Sequence, residues 1–428
     1  MVTQHVMRHL WLSLLGFLAC LQPLGATESD PLDFTAPPHR YHERIPNDPF
    51  TRLKGRLESG EVPLDRSNEL GFVRSLLRVL GIPESSQLLV FSTTSLQLGL
   101  ISPSNPRALY FNEDTYVGWV PGGRIEIVSI DPELGAIFYI FDIPRDSAPI
   151  RAERSGRCMN CHAGEDAGFV PGLVVKSVLP GPTGGSLDSF RLVPAGHAVP
   201  FETRFGGWHL TGAEGFTNHW GNLTGRLQEG TLVRIPNPLG DRFRLDRYPV
   251  PTSDFVAHCV HEHQIGYFNR AIAAGYRVRT YLQTDGSLLK PAHQREVDAN
   301  AEELARYLLL ADEAPFPSAA IRNDTSSGYR RDFAQQHRVD SGGSSLKDLD
   351  LTTHLFRHHC SYLIHSAQFQ SLPALLRDTV IERIRGAVRE TNPDSKLAPI
   401  DDEERRFLRT FLSNTVPGFK PQGANPRP

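Results

Sequence analysis

Methionine is nearly absent: 428 residues hold Met1, Met7 and Met159 and no others. Cysteine is scarcely commoner, and five thiols in so long a chain are too few for a disulfide scaffold. No stretch after residue 26 reaches 18 apolar residues, which leaves the mature chain without a transmembrane helix. An excess of one charge is missing as well. Lys and Arg number 45 against 48 Asp and Glu, a formal charge of −3, whereas a nucleic-acid partner would call for a basic face. What is present is ordinary for a globular protein, 39% hydrophobic and 22% charged, too apolar for wholesale disorder. The length suits two domains or one large domain with extensions.

The N-terminus has the order of a secretory signal peptide. Residues 1–26 begin polar with Arg8 and His9, continue through the apolar run Leu10–Leu21, and finish on Gln22-Pro23-Leu24-Gly25-Ala26. The run is too short to span a bilayer as a stable helix. Export, to the periplasm in a bacterium, is the expectation, with cleavage after Ala26. Leu18-Ala19-Cys20 offers lipid attachment at Cys20 as the alternative, although Phe17 stands where such motifs prefer Leu.

A polar, Pro-rich linker over residues 27–50 follows. The spacing of apolar residues predicts helices over Thr51–Gly60 and Glu69–Gly81. Runs rich in Val, Ile, Phe and Tyr, broken by turn residues, predict antiparallel strands over Leu88–Ser92, Ala108–Phe111, Tyr116–Val120, Arg124–Ile130 and Ala136–Phe141. Leu173–Leu179 and Phe190–Val193 read as further strands. From about Asp254 the period becomes helical, over Phe255–Ala274, Val297–Ala311, Leu351–Ser366, Leu372–Arg389 and Asp401–Leu412, while Arg322–Ser345 reads as a surface loop. The expected class is α+β: an antiparallel β-rich region ahead of and around residue 158, then a mainly helical C-terminal third. The expected divisions are 51–250, a helical region 251–415 and a flexible tail 416–428.

One motif carries chemistry. Cys158-Met159-Asn160-Cys161-His162 is C-x-x-C-H, the attachment signature of c-type haem. Two residues between the thiols, on a tight helical turn, set the sulfurs at the two vinyl edges of the porphyrin, and the adjacent imidazole then reaches the iron as its proximal ligand. A dithiol redox pair would call for a thioredoxin-like βαβ setting, which is not evident. Half a zinc site would call for two more ligands at short spacing, and none is near. Attachment takes place outside the bacterial cytoplasm, so motif and signal peptide agree.

On these residues the chain resembles the c-type cytochromes. The resemblance implies one covalent haem c bonded through Cys158 and Cys161, with His162 on the iron. It covers little else: small cytochrome c domains are all-helical with the motif near their start, and here it lies at residue 158 behind predicted strands. Over most of its length the chain also resembles uncharacterised exported bacterial monohaem proteins. That likeness is carried by Pro171-Gly172-Leu173, Gly206-Gly207-Trp208, His219-Trp220-Gly221-Asn222 and Glu262-His263-Gln264, and it implies no established activity.

Met1 and Met7 leave with the signal peptide, and Met159 is pinned between the tethered cysteines on the proximal side. A distal Met is excluded, which leaves a distal His, Lys, Tyr or amine, or open iron. His219 is the first expectation for the distal position, then His263, then His209. His258, His261 and His263 cluster on one predicted helix, and His358, His359 and His365 on another. Cys259 and Cys360 stand in predicted helices, either as a disulfide or as two buried thiols. Electron transfer is the leading functional expectation, with a redox protein or a small-molecule substrate as partner. A haem enzyme with open distal iron, acting on peroxide or nitrogen-oxide and hydroxylamine-type substrates, and a gas-binding module are the alternatives.

Overall fold

Asp48 and Asn68 start the first two helices. The Asp48 carboxylate accepts from Thr51 N at 3.0 Å with Pro49 as first helical residue, giving α1 (Pro49–Glu58). Asn68 does the same for Gly71 N at 2.8 Å and begins α2 (Glu69–Val79). The computed structural model describes residues 32–420 except 94, 147, 190–194, 214, 318–327, 336–342, 392–396 and 398–399. The expected signal peptide, Cys20, the strand Phe190–Val193 and the end of the tail therefore lie outside the described residues.

The strands follow as expected from their alternation: β1 (Leu88–Val90), β2 (Arg107–Phe111), β3 (Thr115–Trp119), β4 (Ile125–Asp131), β5 (Gly135–Phe141) and a short β6 (Glu153–Arg154). They form one antiparallel sheet in sequence order. One face, with Tyr110, Val117, Trp119, Ile127 and Tyr139, packs under Phe50, Leu57, Phe72 and Leu76 of α1 and α2. The other presents Phe111, Tyr116, Ile130, Ala136 and Phe138 to the rest of the chain. With both faces covered, all seven residues of β5 are buried.

After β6 come α3 (Met159–His162), the hairpin of β7 (Val178–Pro180) and β8 (Ser186–Ser189), and a second hairpin of β9 (Leu223–Gln228) and β10 (Thr231–Pro236). Then α4 (Phe255–Asp285) runs about 46 Å at 1.5 Å per residue, capped by Asp254. Every residue from Phe255 to Phe268 is buried, because the sheet lies on one side of α4 and the C-terminal elements on the other. Those are α5 (Pro291–Leu308), α6 (Gly328–Gln335), α7 (Ala367–Gln370), α8 (Ala374–Ala387) and α9 (Asp402–Thr415). The resulting apolar cluster joins residues from Leu88 to Phe419, so it runs across the boundary expected near residue 250. The α+β class holds.

Three expectations are corrected. Residues 351–366 are not a helix but irregular chain ending in a 3-10 turn at Tyr362–His365. Four of their backbone N–H groups are taken by carboxylates instead of by carbonyls one turn back: Asp350 accepts from Thr353 and His354, Glu313 from Leu355, Glu404 from His359. Cys360 is thus in no helix, and it and Cys259 are free buried thiols rather than a disulfide. Within the expected loop 322–345, α6 forms because Tyr329 and Phe333, four apart, bury together. Of Leu173–Leu179, Val178 and Leu179 pair as strand.

Candidate functional site

A 3-10 turn over Gly156–Cys158 runs directly into α3, which puts Cys158 and Cys161 on one side of continuous turns. Cys161 is exposed. Cys158 is half-buried against the apolar cluster beside Met159, and burial pushes its thiol above the usual cysteine range.

His162 follows at the end of the turn. Its ring lies on Phe138 of β5 with centroids 4.5 Å apart, and its Nδ1 is 3.0 Å from the Gly172 carbonyl. A carbonyl oxygen can only accept, so Nδ1 carries the proton and Nε2 keeps its lone pair. Burial holds the imidazole down to about 4, neutral at pH 7. The fixed tautomer, the neutral ring and the occupied Nδ1 are what a metal-binding histidine requires.

The segment Pro171-Gly172-Leu173 that fixes this ring is itself clamped. Pro171 O accepts from Ala136 N at the start of β5, Gly172 N returns a bond to His162 O, and the Asn269 amide of α4 grips both Leu173 N and Leu173 O at 2.8 Å. A Cβ on Gly172 would stand 2.6 Å from Asn269 Oδ1, so glycine is needed for the close approach of α4.

Beside the motif, Arg107 of β2 and Glu126 of β4 form an ion pair at 2.5 Å, each side chain 14% exposed. The guanidinium lies on Gly118 of β3, where any Cβ would collide with it. The pair bears electrostatically on both Cys158 and His162. Arg107 Nε is buried and has no hydrogen-bond partner. Around it the inner face stays partly open, for Leu109, Glu126 and Val128 are not fully buried although they lie in interior strands.

The histidines expected at the distal position lie in other settings. His219 is tied within its own loop, Nε2–H to Phe216 O at 3.0 Å and Nδ1 accepting from Gly221 N at 2.9 Å. His263 is buried with one nitrogen 2.8 Å from His197 and the other 2.8 Å from Ser361 Oγ. His209 is fully buried between Phe91 and Phe243, its ring nitrogens without hydrogen bonds. His258 lies within 3.1 Å of Ser253 Oγ and the His209 carbonyl. His261 alone of the α4 cluster rests on the sheet, 5.1 Å from Phe111 and 5.7 Å from Tyr116. His358 and His365 pair with Glu404 and Thr415.

Sequence reasoning placed Cys158, Cys161 and His162, and missed Arg107, Glu126, Gly118, Phe138 and Asn269. Arg107 and Gly118 did leave a trace, as a charge and a glycine inside apolar strands. Among the described residues no group of three or more His, Cys, Asp or Glu side chains is arranged to hold a metal ion by itself. No family model matches the chain, and comparison with curated proteins and with solved structures gave no match either.

Proposed function

We propose that this chain is an exported electron-transfer protein carrying one haem c, bonded covalently through Cys158 and Cys161 with His162 as proximal ligand. The observation that carries the reading is the His162 Nδ1 contact with the Gly172 carbonyl, one turn after two unpaired thiols. The donor set fits the group: soft thiols for the porphyrin edge, a neutral imidazole with Nε2 free of protein hydrogen bonds among the described residues, and an unpartnered guanidinium N–H for an acidic substituent. Each thiol would add across a vinyl double bond, its sulfur bonding one carbon and its hydrogen passing to the other, so attachment would need no oxidant. Bound there, haem would supply one-electron exchange at iron.

The residues of the chain do the rest. The Gly172 carbonyl holds the imidazole in one tautomer and makes Nε2 the better donor. Phe138 and the neighbouring apolar residues keep water from that ring, while Arg107 and Glu126 set the local charge. The partner is a redox protein.

A reduced-minus-oxidised absorption spectrum of the loaded protein, with and without carbon monoxide, tests the function. Electron transfer predicts a reversible c-type spectrum that carbon monoxide leaves unchanged. Rapid carbon monoxide binding would shift the assignment to an open-iron enzyme or a gas-binding module.

A further inference from the structure

We infer that a patch of exposed leucines, far along the chain from the C-x-x-C-H turn, docks this protein on the surface of a neutral lipid bilayer. The inference stands apart from the haem reading. Among the described residues eight large apolar side chains are exposed, and five of them, Leu96, Leu98, Leu100, Leu187 and Leu227, belong to three adjoining segments. In the turn over residues 95–100, Gln97 O accepts from Leu100 N at 3.0 Å. The Gln97 side chain is turned to the sheet: its Nε2 donates to Arg124 O at 3.1 Å and its Oε1 accepts from Arg124 N at 2.6 Å. Gly123 leaves room for it, since a Cβ there would stand 2.5 Å from Gln97 Oε1. The polar side chain is thus spent on the protein, while Leu96 and Leu98 on either side of it are 48% and 56% exposed, the reverse of ordinary burial. Asn105 donates to Leu100 O at 2.9 Å, so a fixed turn presents these leucines.

Two hairpins extend the patch. Thr93 N donates to Gly184 O at 2.9 Å, which ties the chain just ahead of the turn to the β7–β8 hairpin. Three residues beyond Gly184 stands Leu187, on a strand whose four residues are all exposed. Gly225 of β9 adjoins it, because a Cβ there would lie 3.1 Å from Leu187 Cδ1. Leu227, two residues on and so on the same side of β9 as Gly225, is 64% exposed. Arg226 alternates to the opposite side and does not interrupt the leucines.

Charge and composition decide what such a surface fits. No Asp, Glu, Lys, Arg or His stands between Glu84 and Arg107, nor between Lys176 and Asp188. A nucleic acid or an acidic protein would find no counter-charge there. Protein interfaces gather Trp, Tyr, Phe, Met and Arg at their contact core, and leucine and serine are under-represented among the residues that carry the binding. This patch has the opposite make-up, leucines set apart by Gln, Gly and Ser. An uncharged surface matches a zwitterionic headgroup layer, and leucines enter the headgroup–acyl boundary, about 5–10 Å deep, with no charge to desolvate.

The test sediments the mature protein with phosphatidylcholine vesicles at low and at high salt. Wild type is compared with the triple variant Leu96→Ser, Leu98→Ser, Leu100→Ser. The control is Ile45→Ser with Leu288→Ser, side chains that are 89% and 87% exposed but stand outside the patch. Wild type and control are expected to bind alike and independently of salt. The triple variant, unchanged in urea midpoint, should partition about tenfold or more weakly, since binding follows the apolar area buried. In Leu98→Trp the indole emission should move to the blue on adding vesicles and be quenched by lipids brominated along the acyl chain. Should the triple variant fold poorly, that reporter and Leu227→Ser, expected to weaken partitioning severalfold, carry the test. Absence of wild-type binding, binding confined to anionic vesicles and released by salt, an unshifted Leu98→Trp emission, or an equal loss in triple variant and control overturns the assignment. So does a concentration-dependent dimer that the triple variant dissolves, which would give this face to a second copy of the chain.

Discussion

His162 has one ring nitrogen spoken for and one turned to other use, and that asymmetry comes from a single backbone carbonyl. Replacing the residue tests how much depends on it. His162→Ala should leave the two thioether links intact but abolish the wild-type absorption spectrum, since attachment and ligation involve different atoms; the spectrum of the purified variant checks this. Cys158 and Cys161 divide the other task. The double variant Cys158→Ala with Cys161→Ala should yield protein from which acid and organic solvent remove all colour, whereas the wild type should stay coloured. Both outcomes concern residues that the sequence identified by spacing alone. Their surroundings were not legible there: Arg107 and Glu126 are nineteen positions apart in sequence and meet only because β2 and β4 flank β3, whose Gly118 leaves room for the guanidinium. Glycine and tryptophan around His219 marked a tight loop, and the ring turned out to be spent on holding that loop closed.

At the scale of elements, the bracket Pro171-Gly172-Leu173 is where β5 and α4 are joined to the motif. Asn269 makes both of its hydrogen bonds to Leu173, so Asn269→Ala strands a buried donor and acceptor and should destabilise the chain by about 1–3 kcal/mol, read as a lower urea midpoint at unchanged slope. Asp48 offers a parallel case. It caps α1 and also accepts from Tyr139 Oη at 2.8 Å, so Asp48→Ala should cost about 2 kcal/mol, at the upper end for a helix cap. Helices and strands with strong periodicity, such as α2 and β4, could be read directly from the sequence because local spacing and final burial agree. Residues 351–366 show the limit. Their apolar spacing is helical, but carboxylates from Asp350, Glu313 and Glu404 outcompete the helix for the backbone N–H groups, and two of those residues are tens of positions away. The β9–β10 hairpin turns on Glu229-Gly230, both at positive φ, between the two paired runs.

Across the described residues, histidine is the commonest buried group that ordinarily titrates near neutral pH. Burial holds His39 and His162 down to about 4, and His209, His258 and His263 to about 3. In the unfolded chain these rings take up protons near pH 6.5, whereas in the fold they stay neutral until pH 3–4. Between those limits the unfolded state binds more protons, so stability is fully present above about pH 6.5 and is lost as pH falls toward 4. Glu313, pushed up to about 7 by burial, and Asp114, also raised by burial, act in the opposite sense, but His197, His219 and His359 are lowered by burial too and add to the five. The urea midpoint of the haem-free chain should be nearly flat between pH 7 and 8 and drop steeply between 6.5 and 4; a flat midpoint down to pH 4 would mean that these rings are not neutral in the fold. The fold keeps these imidazoles neutral, one of them directly behind a pair of thiols. The intact mass of the mature protein, produced alongside a cytochrome c maturation system and measured under denaturing conditions, is the most direct measurement. A mass greater than that of the polypeptide by one haem is the predicted result; the bare polypeptide mass, with both thiols still open to alkylation, would contradict it.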